Sequence, residues 1–260
     1  LHFNTIHYVE SHGIATITLN RPEKRNAISY ELIDDLLAGM ERAAHSHAHV
    51  LILTGAGSAF CAGMDLENLK QLIGRSPEQN IKDSETVARL FRRIYDFPKP
   101  TIAAVNGAAI AGGTGLVTVC DFVLAVPEAK FGYTEVRIGF LPAIVSSFLI
   151  ASVGEKRARD LLLTGRIFNA EEARELGLVN EIVAPDELMK RAHELAVQLL
   201  ENSPASLRLT KELLSSYTHD QLDRQIARAI RENAAIRETA DFKEGVSAFL
   251  EKRKPAWKGN

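Results

Sequence analysis

Two short apolar runs, each closed by a glycine turn, restrict this chain more than any other feature. Val50 to Leu53 runs into Thr54-Gly55-Ala56-Gly57, and Thr101 to Val105 runs into Asn106-Gly107. Segments this short and this evenly apolar are the strands that a parallel sheet buries on both faces. A third run, Phe122 to Val126, repeats the pattern, and Ile14 to Leu19 alternates with Ala15, Ile17 and Leu19 on one face, as a half-buried strand does. Helical spacing fills the intervals. From Ser29, a good N-cap residue, Leu32, Ile33, Leu36, Leu37 and Met40 recur at helical period to about His45. Residues 66–95 read as helix with a Gly74-Arg75-Ser76-Pro77 interruption, and helical patterns follow at 154–164 and 170–176. Strand alternating with helix makes the chain α/β.

From about Pro185 the pattern is almost wholly helical, so residues 1–195 are expected to form the core and 196–260 a helical region. That region has no sheet of its own to cover, so its apolar faces should dock on the core or on a neighbouring subunit. With 260 residues, 46% of them hydrophobic, one large core can be buried. The formal charge is −2 and basic residues form no block, which gives no footprint for a nucleic-acid partner. Cys61 and Cys120 stand far apart with no CxxC pair, so neither a zinc site nor a disulfide framework is signalled. The first residues lack a leader pattern and no run approaches a membrane span, so a soluble, cytoplasmic protein is expected. The histidines at 45, 47 and 49 end a predicted helix, where cations are favoured, and read as capping and not as a metal site.

Two loops carry the chemistry. Ala59-Phe60-Cys61-Ala62-Gly63-Met64-Asp65-Leu66 follows the Val50 strand, where small residues let a ligand approach the backbone. Ala111-Gly112-Gly113-Thr114-Gly115-Leu116 follows the Thr101 strand and opens a helical segment, so unpaired N–H groups are expected there. Either loop alone could be a tight turn, and neither is a phosphate loop, since GxxxxGK[ST] is absent.

With their surroundings, the loops resemble the paired signature of the crotonase (enoyl-CoA hydratase/isomerase) superfamily. The similar stretches are NRPEKRNAIS at 20–29, AFCAGMDL at 59–66, KPTIAAVNGAAIAGG at 99–113, CDFVLAVPEAKFG at 120–132, EEARELGLVNEIV at 171–183 and EGVSAFLEKRKPAWKG at 244–259. The resemblance implies a spiral of ββα units with a C-terminal helical trimerisation region, as a homotrimer or as a hexamer of stacked trimers. It implies an acyl-CoA thioester substrate, whose coenzyme A is part of the substrate, with no further cofactor and no metal.

It also implies roles. The N–H groups of Met64 and Gly112 would hold the thioester oxygen as charge develops on it, each donor contributing on the order of 3 kcal/mol in comparable sites. The hydratases use two glutamates; here Gly115 stands at the first position and Glu135 at the second. Glu135 is therefore the expected acid/base, adding water across C2–C3. Δ3-Δ2-enoyl-CoA isomerisation by a single base is the alternative, and a catalytically silent acyl-CoA-binding protein an alternative of another class. Thr134 to Ser146, with Gly115 upstream, looks most like hydratases of the methylglutaconyl-CoA type, and Ala143 to Ser146 stand where many hydratases have a glycine-rich segment. Thr114 and Thr118 could hold a water in place of the missing carboxylate, or could simply pack. Coenzyme A contacts by motif position fall on Arg25, Ala27, Ala62, Asp65 and Leu66, with Phe249 and Lys252 reaching a neighbouring subunit's coenzyme A. Asp65 could instead orient its own loop.

Overall fold

A computed structural model describes residues 2–260. The chain opens with an antiparallel hairpin, β1 (Ile6–Ser11) and β2 (Ile14–Leu19). His12 and Gly13 both take positive φ at its tip, the turn whose twist suits a two-residue hairpin. Helix α1 (Tyr30–His45) follows, with Ser29 capping it by accepting from the Leu32 N–H and its apolar stripe buried as the spacing predicts.

Three strand–strand–helix turns then build the core. The first is β3 (Val50–Gly55), β4 (Ala59–Cys61) and the helix pair α2 (Leu66–Leu72) and α3 (Pro77–Tyr95), whose break falls at the expected Gly-Arg-Ser-Pro. The second is β5 (Thr101–Val105), β6 (Ala108–Ile110) and α4 (Gly112–Thr118). The third is β7 (Phe122–Ala125), β8 (Lys130–Gly132) and the pair α5 (Ala143–Val153) and α6 (Glu155–Thr164). Each turn gives its first strand to one sheet and its second strand to another. After β9 (Phe168–Asn169), α7 (Ala170–Glu175) and β10 (Glu181–Ile182), the large sheet reads β1-β2-β3-β5-β7-β10 and the small one β4-β6-β8-β9. From β2 to β10 the large sheet is parallel, as the apolar runs require.

Helix α8 (Leu188–Leu200) packs on β3, β5 and β7, so residue 195 falls inside a helix that covers the sheet. Beyond it lie α9 (Pro204–Ser216), α10 (His219–Ala235) and α11 (Ala240–Leu250). Helix α10 lies against α3 and α5, and α11 against the 3-10 turn Glu135–Ile138. Much of the helical region therefore docks on its own core. Helix α9 differs: none of its residues is buried, and Leu209, Leu213 and Leu214 face outward. Among the described residues no helix is long and apolar enough to cross a membrane.

Candidate active site

The first loop is held by a zipper to the segment after β2. Ala62 N–H donates to Arg25 O at 3.0 Å, Ile28 N–H to Gly63 O at 2.7 Å, and Asp65 N–H to Ile28 O at 2.9 Å. Arg21 locks the pair from below, donating to Ala27 O at 2.6 Å and to the Asp65 carboxylate at 2.8 Å. Asp65 also caps α2 through the Glu67 N–H. Burial would raise its pKa, but Arg21 and the Glu67 N–H outweigh that and hold it below the usual carboxylate range. Its charge serves the loop.

The second loop presses on the first. A Cβ on Gly113 would lie 2.1 Å from Cys61 O, and one on Gly63 would lie 3.0 Å from Ile110 O and 3.2 Å from the Ala111 Cβ. Gly63 also sits at φ 91°. Side chains at either position would drive the loops apart. Between them Ala111 adopts φ 51°, ψ −120°, a conformation that costs an L-residue energy and turns the chain sharply from β6 into α4. Met64 and Gly112, one on each loop, donate their N–H groups to no other backbone carbonyl. Both line one cavity of about 260 Å³.

Glu135 lines the same cavity from the opening residue of its 3-10 turn. The side chain is buried and Oε2 has no hydrogen-bond partner. Burial raises its pKa to about 7, opposed only by a hydrogen bond from its own backbone, and no cation acts on it. The turn is seated on α11 by two backbone contacts. A Cβ on Gly139 would lie 2.4 Å from Asp241 O, and one on Gly245 would lie 2.4 Å from Ile138 O.

At Gly115 the space for a second carboxylate is closed. A Cβ there would lie 2.8 Å from Phe91 Cε1 and 2.9 Å from Val145 Cγ1. The threonines do not replace it. Thr114 donates to Ala109 O at 2.6 Å and accepts the Gly132 N–H, while Thr118 is held by Thr114 O and the Tyr133 hydroxyl. The Thr114 hydroxyl knits α4 to the small sheet and the Thr118 hydroxyl ties it to Tyr133 just past β8, so both serve packing.

Among the expected coenzyme A contacts, Ala62 and Leu66 line the cavity, and so does Phe249, half exposed at its rim. Arg25 and Ala27 sit on the zippered segment beside it, whereas Lys252 lies past the end of α11 and outside the cavity lining. Val145, in the Ala143 to Ser146 stretch that the sequence set apart from the glycine-rich segment of many hydratases, lines the wall; sequence reasoning missed Phe91 and Asn233, which complete it from two other helices with no motif of their own. It also missed a charged network beside that wall. Arg237 pairs with Asp83 at 2.7 Å, Arg75 pairs with Asp83 at 3.1 Å, and Asn233 accepts from Arg237 at 2.8 Å.

A family model described as enoyl-CoA hydratase/isomerase matches residues 9–260. A Thermus thermophilus protein with the name "Putative enoyl-CoA hydratase" is 48% identical, over 95% of this chain and 98% of its own. The Escherichia coli 2,3-dehydroadipyl-CoA hydratase is 34% identical over 95% of each chain. The crystal structure of an enoyl-CoA hydratase/isomerase from Xanthobacter autotrophicus Py2 superposes with a TM-score of 0.90 at 30% identity, covering 98% of this chain and 100% of that one. Sequence motifs, the ββα spiral and these matches agree, and the chain belongs to the enoyl-CoA hydratase/isomerase family of the crotonase superfamily.

Proposed function

We propose that the protein hydrates an enoyl-CoA thioester. The observation that carries this reading is the convergence of two unpaired N–H groups, on Met64 and Gly112, with the buried carboxyl of Glu135 in one cavity. With the thioester oxygen on the two donors, the Glu135 carboxylate takes a proton from water while the water oxygen bonds to C3. The C2–C3 π electrons move toward the thioester, whose oxygen gains negative charge that fixed dipoles in a dry site stabilise well. Glu135 then returns the proton to C2. A carboxyl raised to about 7 is suited to both halves, since near neutrality it is neither wholly ionised nor wholly protonated.

The closed space at Gly115 supports a second reading, in which Glu135 alone moves a proton between C4 and C2 as an isomerase. Relatives carry both kinds of name, among them a short-chain-enoyl-CoA hydratase from Clostridium acetobutylicum and an enoyl-CoA isomerase/hydratase from Mycosarcoma maydis. A branched acyl group, a cytoplasmic setting, and coenzyme A held by the Arg25–Ala27 segment, Ala62, Asp65 and Leu66 belong to the first reading. So does a trimer, or a hexamer of trimers, that brings Phe249 and Lys252 to a neighbour's coenzyme A; the outward leucines of α9 offer a surface for such contacts.

Incubation in ¹⁸O-labelled water with 2-enoyl and 3-enoyl thioesters of coenzyme A separates the readings. Label at C3 of the product is expected. Conversion of the 3-enoyl to the 2-enoyl thioester without label would replace hydration by isomerisation.

A further inference from the structure

The wall of the cavity beyond Gly112 is built as a unit. Phe91 on α3 and Val145 on α5 both rest on Gly115 of α4, within van der Waals reach of where its Cβ would be. Gly112 opens that same helix, so Gly115 lies three residues, about 4.5 Å, along it. A thioester oxygen held at the Gly112 N–H would put the acyl carbons against these two side chains. The helix they rest on is held in turn, since Thr114 ties α4 to the small sheet and Thr118 ties it to Tyr133.

Among the described residues no lysine or arginine lines this cavity; its polar side chains are Thr134, Glu135 and Asn233. Arg237 is not available to a ligand. It is buried against the Phe140 ring, 5.4 Å from the centroid, and its guanidinium is engaged by Asp83, Asn233, Ser84 and Asn80. An acyl group with a carboxylate would lose hydration on entering, gain no ion pair, and meet the negative charge of Glu135. Glu135 itself reports that environment, since burial alone lifts its pKa to about 7.

We infer that Phe91 and Val145, seated on Gly115, are specificity-determining residues that admit an uncharged acyl group and reject one bearing a carboxylate. This rests on the acyl-CoA reading above, and it departs from the methylglutaconyl resemblance, whose acyl group carries the carboxylate that this wall rejects.

Calorimetric binding of two saturated thioesters, 3-methylbutyryl-CoA and 3-methylglutaryl-CoA, tests it without requiring turnover. They share the 3-methyl branch, and the second adds a terminal carboxylate. The uncharged ligand should bind at least tenfold more tightly, and kcat/KM should favour 3-methylcrotonyl-CoA over 3-methylglutaconyl-CoA in the same direction. Phe91→Leu and Val145→Ala, checked for native melting, should shift the kcat/KM ratio between crotonyl-CoA and a bulkier uncharged enoyl-CoA tenfold toward the bulkier one. Equal or tighter binding of 3-methylglutaryl-CoA would overturn the inference. If Arg137→Ala then removed that affinity, the acyl end would lie in the adjoining hollow that Arg137 and Arg253 line. A ratio unmoved in folded variants would also overturn it. Failure to hydrate any thioester, with the binding preference intact, would defeat the proposed reaction and leave the wall's role standing.

Discussion

Three carboxylates are buried among the described residues, and two of them, Asp83 and Glu135, are treated in opposite ways. Asp83, on α3, lies between Arg237 and Arg75 and also accepts a short hydrogen bond from the Tyr30 hydroxyl. Its charge is matched on the spot. Glu135 has no cation and leaves Oε2 without a partner. Burial is common to both, so burial alone does not make a buried acid functional. What separates them is whether the protein has supplied a counter-charge: where it has, the group joins helices, and where it has not, the group can exchange a proton near neutral pH. Asp83 and Arg237 bridge α3 and the segment after α10, and Arg75 adds the loop that opens α3.

The largest effect should come from Glu135→Gln. If Glu135 is the acid/base, kcat should fall by about 10² to 10⁴ while the melting temperature holds or rises. A variant that keeps its hydration rate would end the contrast, leaving Glu135 as a misplaced structural acid. Next is Asp83→Ala, which strips a buried cation pair of its anion and should cost about 3–5 kcal/mol of unfolding free energy by denaturant titration. The fraction that remains folded should keep nearly normal kcat; a loss as deep as that of Glu135→Gln would move Asp83 into the reaction.

The smallest of the three is a pH effect. The folded protein holds the Glu135 proton more tightly than the unfolded chain does, since the pKa rises from 4.5 to about 7. The stability it contributes is therefore complete below about pH 4.5 and lost as pH rises through 7. Replacing it with glutamine should stabilise the protein at pH 8 relative to wild type by up to about 3 kcal/mol, and by little at pH 5. Melting curves at the two pH values check this, and equal differences at both would mean that the carboxyl is solvated.

Much of the fold is legible in the amino-acid sequence. The parallel strands announce themselves because burial on both faces removes polar residues, and Ser29 marks the start of α1 because a helix end needs an acceptor for its free N–H groups. The strands of the small sheet, two or three residues each, carry too few positions for any period to show. Helix α5 is hidden for another reason: it is apolar nearly all round, so no stripe marks it as helical. Within the candidate site, Met64, Gly112 and Glu135 follow from motif position, and the structure brings them to one cavity. The wall on Gly115 and the Asp83–Arg237 pair are out of reach of sequence, because each joins residues that only the folded chain makes neighbours. Asp83 reads in sequence like any solvated charge on a helix.

The seat of the Glu135 turn has a consequence for how the protein is made. The turn lies near the middle of the sequence, but the surface that holds it belongs to α11, where Asp241 and Gly245 meet Gly139 and Ile138. A chain growing on the ribosome folds from its N-terminus as residues emerge. It can close both loops and most of both sheets while its carboxyl still lacks a fixed place. Only when residues 240–250 emerge can the turn settle, so the order of synthesis withholds a seated Glu135 from every shorter chain.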